Sequence, residues 1–371
     1  MLWLIFYLLT TAFAQTCGQE KIPLLSLVMI VKNEAPSIAQ TIASVRGVVD
    51  RYTVLDTGST DDTIKIIREA FGTTPGDIYE ESFVDFATTR NRAIELEGTK
   101  SKFMLMLSGD ETLHNASALR TTIEKGDAWN LLVHYGKKSQ FTSTRIHRSA
   151  TQWRYKGVTH EYMTGPDGQT NEQRIKGPYI YYNTTSVTRE SKRERWELDI
   201  QLLLNEWAEV AATPRTAFYL AQSYDSLEKF EDAMDWYRTR SVMGGWEEGK
   251  YESIYRMGRI SQHLNESWDI SMKHYMHAYS VAPHRAEPLY QIGSHYQAQQ
   301  QYALAFIYMH QAWRKSFPED ANGFTYIDIY NELIPNALLN IAHHVGEIDI
   351  GRQILQTLYP DIHDQYTKYY K

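Results

Sequence analysis

From Leu24 to about Tyr182 the chain alternates short apolar runs with amphipathic stretches. Leu24–Val31 is apolar almost throughout and predicts a buried strand. Ser37 to Val45 places Ile38, Ile42 and Val45 at helical spacing. Tyr52–Leu55 predicts a second strand and Asp61 to Phe71 a second helix. Ser82–Phe86 reads as a short extended piece, Ala87 to Leu96 as a helix, and Phe103–Leu107 as another buried strand. Strands alternating with helices of about ten residues predict βαβ units and a mostly parallel, Rossmann-like α/β sheet. Beyond Glu111 the order loosens: Ala128–Tyr135 and Phe141–Arg148 predict further strands, ending near the Tyr179–Tyr182 run.

From about Arg193 onward the periodicity is helical. Ala217–Tyr224 opens one helix, and Phe230 to Arg240, with Ala233 and Tyr237 inside, its partner. Similar small-and-aromatic registers recur at Ile254–Arg259 and Pro288–Gly293, at a spacing of roughly 35 residues, which is the tetratricopeptide period. A final pair near Ile334–Val345 and Asp349–Leu358 fits a capping repeat. The division this predicts is residues 22–190 for the α/β domain and 191–371 for an all-α, tetratricopeptide-like repeat domain.

The apolar strands end on polar residues. Leu24–Val31 runs into Lys32-Asn33-Glu34, Val54-Leu55 into Asp56-Thr57-Gly58, and Met104–Leu107 into Ser108-Gly109-Asp110-Glu111. Open α/β sheets bind ligands at the carboxyl ends of their strands. Gly58 permits close backbone approach, Ser59 to Asp62 supply caps for the following helix, and Asp56 stands where it could accept hydrogen bonds from a base or ribose. Neither Gly-x-Gly-x-x-Gly nor Gly-x-x-x-x-Gly-Lys-Ser/Thr occurs, so neither dinucleotide nor P-loop chemistry competes.

The 371 residues allow about two domains. A net charge of −7 opposes nucleic acid as the main partner. The basic run Arg189 to Arg195 is interleaved with acids and reads as a solvated helix face. Leu2 to Ala14 has the length and small-residue ending of a signal peptide and is too short to span a bilayer, so residues 1–14 are expected to be a signal peptide and no stable membrane span is expected. Cys17 is the single cysteine, which leaves no intramolecular disulfide. Sequons stand at Asn115, Asn183 and Asn265. The secretory route is the expected localisation, with a cytoplasmic one as the alternative.

Taken in order, Val28–Glu34, Val54–Asp61, Arg90-Asn91 and Leu107–Glu111 resemble the motifs of family 2 glycosyltransferases with the GT-A fold. Trp153–Glu161, with its Val-Thr-His-Glu ending, resembles a segment of the subgroup that carries C-terminal tetratricopeptide repeats and includes enzymes that glycosylate peptides. The resemblance covers roughly residues 24 to 360. It implies an inverting, metal-dependent transfer of a sugar from a nucleotide-sugar donor, a UDP-sugar in expectation, to a glycan or peptide acceptor. Asn33, Glu34 and Asp56 would contact the nucleoside, with Gly58 in the adjoining turn, and Arg90 would sit by the base or diphosphate. Asp110 would hold Mn²⁺ or Mg²⁺, with His160 as a further ligand or diphosphate contact. Glu161 would be the general base, with Glu111 its rival.

Ser108 departs from that pattern, because these enzymes usually have Asp there. The resemblance gives the first acid to ribose and the second to the metal, and a serine hydroxyl can still serve a ribose. The expectation is a changed donor grip. The alternative is a catalytically weak or inactive relative that binds partners through its repeats, which would form a peptide groove or a homodimer contact. Trp153 and Tyr155, flanked by Arg154 and Lys156, are the aromatic residues expected on the acceptor side.

Overall fold

The structure, a computed structural model, describes residues 22–136, 139–169, 171, 173–182, 189–209, 212–318 and 325–358. The expected signal peptide, Cys17 and the Asn183 sequon lie outside the described residues.

Three βα units come first: β1 (Leu25–Val31), α1 (Ile38–Val45), β2 (Arg51–Asp56), α2 (Thr63–Phe71), β3 (Gly76–Glu80) and α3 (Phe86–Glu97). Then follow β4 (Phe103–Met106), β5 (Glu111–His114), α4 (Leu119–Ile123), β6 (Ala128–Tyr135), β7 (Ser139–Arg148), the small hairpin β8 (Arg154–Lys156) and β9 (Tyr162–Thr164), and β10 (Arg174–Tyr182). The main sheet has the order β3-β2-β1-β4-β7-β6-β10-β5. β3, β2, β1 and β4 are parallel, β7 is antiparallel to β4 and β6, and β10 is parallel to β6 and antiparallel to β5. The parallel half is the one the sequence predicts, and the second half is mixed.

Alternation along the strands separates two layers. Leu25, Leu27, Met29 and Val31 of β1 join Phe103 and Leu105 of β4 in a core against α1 and α2. Val28, Met104 and Met106 face the other way, onto α3, Trp153 and Tyr155. The extended piece expected at Ser82–Phe86 is corrected: the third strand is Gly76–Glu80, and residues 81–85 are loop. β3 is a sheet edge with partly exposed residues, so it lacks the apolar run that marks a buried strand. It begins with Gly76 because a Cβ there would lie 2.4 Å from the Tyr52 ring, which is itself stacked on Phe71.

The helical part runs α5 (Arg189–Glu209), α6 (Pro214–Ser226), α7 (Phe230–Val242), α8 (Glu247–His263), α9 (Trp268–Val281), α10 (Glu287–Ala298), α11 (Tyr302–Trp313), α12 (Ile334–Ala342) and α13 (Ile348–Leu358). Paired helices approach closely where glycine leaves room. A Cβ on Gly258 would lie 2.6 Å from Tyr275, and one on Gly293 2.8 Å from Met309. Thr325–Tyr326 forms a short strand, β11, antiparallel to the start of β7. The Tyr326 hydroxyl donates to Glu252 (2.5 Å) and accepts from Arg256 (3.3 Å), so this segment ties α8 to the sheet. Among the described residues no helix is long and apolar enough to cross a membrane.

Candidate active site

The register Val31↔Asp56 brings the carboxyl ends of β1 and β2 side by side, and the loop after β4 follows on the other flank of β1. The first two loops are zipped together. Asn33, at φ +55, accepts from the Thr60 backbone N–H through Oδ1 (2.8 Å) and donates its own backbone N–H to Ser59 Oγ. Asp56 is buried and accepts from the Ser59 backbone N–H and hydroxyl (2.6 Å for the latter). The turn needs Gly58 at φ +98. Asn33 and Glu34 line a large cavity here, whereas Asp56 and Gly58 shape the turn behind it.

Three carboxylates converge around Gly109. A Cβ on this residue would lie 2.6 Å from Glu34 Cγ, and its carbonyl accepts from Thr41 Oγ1 (2.8 Å). Glu34 accepts from Ser37 Oγ, and burial, partly offset by that bond, raises its pKa. Burial, then the neighbouring charges of Glu111 and Glu34, lift Asp110 to about 7, although the Tyr182 hydroxyl donates to it. Glu111 is committed elsewhere. Arg145 grips both its oxygens (2.8 and 3.0 Å), and the Ser108 backbone N–H donates to it (2.8 Å).

Arg90 forms the opposite wall. It projects from α3, which Asp85 caps by accepting from the Thr88 N–H, and it lies buried with its guanidinium beside the Tyr155 ring. Its Nε donates to Glu161 (2.5 Å) and one Nη to the Ser108 hydroxyl (3.0 Å), while the other Nη is buried without a partner. Burial pushes the Glu161 carboxyl up, but the Arg90 charge and hydrogen bond more than offset it, so Glu161 stays ionised below the usual range. Asn91 clasps the backbone of Tyr155 in both directions, which docks the β8–β9 hairpin on α3. Tyr155 lines the cavity. Trp153 does not: it packs in the core, with Gly165 against its ring.

His160, at φ +48, stacks on Tyr219 of α6 (4.0 Å), faces Asp199 of α5 (3.7 Å) and gives its carbonyl to Arg215 (2.7 Å). Burial drops its pKa to about 4 against the pull of Asp199, so the ring is neutral. It joins the sheet domain to the helices, and none of these three contacts reaches Asp110.

Residues 26–190 match the model of glycosyl transferase family 2. The N-terminal half is a family 2 glycosyltransferase domain. A TPR repeat-containing protein of Synechococcus elongatus is 31% identical over 144 residues, 38% of this chain and 32% of that protein, so the match spans about a third of the relative's length. Looser likenesses include S. aureus TarS 1-349 in complex with UDP-GlcNAc (11% identity, 82% of this chain and 96% of that one, TM-score 0.36). Another is the C-terminal part of a TPR repeat-containing protein from Cytophaga hutchinsonii (16% identity, 47% of this chain and 65% of that one, TM-score 0.35).

In the glycosyltransferase domain, no cluster of three or more His, Cys, Asp and Glu side chains arranged to hold a metal occurs among the described residues. The donor set nonetheless fits a hard divalent cation that shares its ligands with a diphosphate and water. The Asp110 carboxyl has its pKa raised first by burial and then by the charges of Glu111 and Glu34, and a cation beside it would offset the cost of ionising it there. The sequence motifs do not single out Arg145, Tyr182, Arg215 or Trp246. The strand alternation does hold one signal: Ile146 is buried in the core, so neighbouring Arg145 must face the opposite side of β7, toward the cavity.

Proposed function

We propose that this glycosyltransferase is an inverting enzyme that takes a sugar from a UDP-sugar and passes it to a hydroxyl acceptor, with Glu161 as general base. The observation that carries this assignment is the contrast between the two candidate carboxylates. Both border the cavity, but Glu111 has both oxygens locked by Arg145, whereas Glu161 meets Arg90 through one oxygen. Arg90 keeps Glu161 ionised and aimed, so its second oxygen can take the acceptor proton as attack proceeds.

Asp110 would hold Mn²⁺ or Mg²⁺, and the ion would offset the charge that gathers on the departing nucleoside diphosphate. Glu34 and Asn33 would border the donor. Ser108, whose hydroxyl accepts from Arg90, keeps its own proton to donate to a ribose or sugar oxygen. Asp56 would act through the turn it stabilises, and His160 as a joint between the domains.

Substituting Glu161→Gln tests the reading. UDP affinity should persist while kcat falls by roughly 10²–10⁴. Unchanged turnover would remove Glu161 from the base role.

A further inference from the structure

The cavity has a volume of about 2510 Å³, where a site for one small ligand needs roughly 300–1,000 Å³. A nucleotide-sugar leaves most of it unfilled, and the excess is walled by α5, α6 and α8 of the repeat domain. In that wall an aromatic stack runs outward from the residue next to Glu161. The His160 ring lies 4.0 Å from Tyr219, and Tyr219 lies 6.1 Å from Trp246. The Arg215 guanidinium sits over Tyr162 (4.4 Å), Tyr219 (4.7 Å) and Trp246 (5.4 Å).

Trp246 is placed there at a conformational cost. It adopts φ +44, in the left-handed region that bulky residues rarely enter, straight after Gly245 at φ +71. The fully buried Arg240 pins the turn from beneath by donating to the carbonyls of Met243 (3.0 Å), Gly245 (2.7 Å) and Trp246 (2.5 Å). The indole lies across Gly249, where a Cβ would come within 2.5 Å of it. The half-buried indole packs edge-on against Phe218 (5.0 Å) in the helical core and still lines the cavity.

We infer that the repeat helices supply the acceptor subsite, with Trp246 as a platform for a pyranose ring of a glycan acceptor. This rests on the transferase reading above. The wall is made of helices and a turn whose carbonyls Arg240 takes up, so it offers a peptide no strand edge to extend. What it does offer is ring surface beside charged side chains. A sugar's C–H face packs on the indole, and its hydroxyls bond to the charged groups.

The test applies the full chain, with and without UDP and Mn²⁺, to an array of di- to tetrasaccharides and a parallel array of unglycosylated peptides. The wild-type chain should retain a subset of the glycans. Trp246→Ala should weaken the best of them by roughly tenfold, and Trp246→Tyr should restore most of the loss. The UDP Kd of both variants should stay within about twofold of wild type, which reports an intact donor site. Three results would overturn the inference: glycans held equally by Trp246→Ala, peptides held in their place, or no glycan held at all. Failure of the wild-type chain to bind UDP would instead refute the donor reading, while the nucleotide-free array would still judge the platform.

Discussion

Asp110→Asn separates the metal claim from the fold. In the cation-free protein the Asp110 carboxyl is lifted from 3.8 to about 7, first by burial and then by Glu111 and Glu34. A carboxyl whose pKa is raised on folding binds its proton more tightly in the folded state. Its contribution to stability is therefore complete below the unfolded pKa and is lost as pH climbs toward 7. At ~1.4 kcal/mol per pH unit, a rise of about three units makes ionised Asp110 cost up to about 4 kcal/mol at pH 8. Asn has the same shape, accepts from Tyr182 as Asp does, and carries no charge. In EDTA at pH 8, Asp110→Asn should therefore melt higher than wild type by on the order of 10 °C, and at pH 4 the two should coincide. Adding Mn²⁺ with UDP should reverse the order at pH 8, because the cation stabilises only the carboxylate. Thermal melts across pH 4 to 8, with and without the ion, read all of this. A variant no more stable than wild type at pH 8, or a wild type whose melting is indifferent to Mn²⁺ and UDP at every pH, would refute the reasoning.

Two further outcomes follow from the same walls. Glu111→Gln should cost about 3–5 kcal/mol of stability by leaving the half-buried Arg145 without its counter-charge, visible as a lowered melting temperature. Gly109→Ala should push Glu34 aside, at a cost of about 1–3 kcal/mol, and weaken UDP affinity measured by calorimetry, with the Mn²⁺-dependent part lost first.

Much of this protein is legible along the chain, for reasons that differ by element. β1 and β4 announce themselves because strands covered on both faces are apolar at nearly every position, Ser26 of β1 being the exception. β3 and β5 are harder to see. One is a partly exposed edge, and the other, Glu111–His114, alternates polar residues that look like loop. The repeats show in the recurring small residues, since Gly258 and Gly293 sit where helices cross too closely for a larger side chain. The ends of β1, β2 and β4 could be read as one crevice because parallel strands carry their loops to the same edge.

What could not be read is which carboxylate is spent and which is available. Asp56, Glu111 and Glu161 all end or follow strands and look equivalent in sequence. Asp56 is claimed by Ser59, a local contact that the turn motif half reveals. Glu111 is claimed by Arg145, 34 residues on, and Glu161 is aimed by Arg90, 71 residues before it. His160 finds Tyr219 and Asp199 only because α5 and α6 fold back against the sheet. Periodicity, turn chemistry and strand endings are local, so the sequence by itself determined an α/β part followed by helical repeats, the buried strands and the edge to which they carry their loops. Charge pairing across the sheet, and the repeat helices closing over the cavity with Trp246 in their wall, depend on contacts between distant segments, and only the tertiary structure decided them.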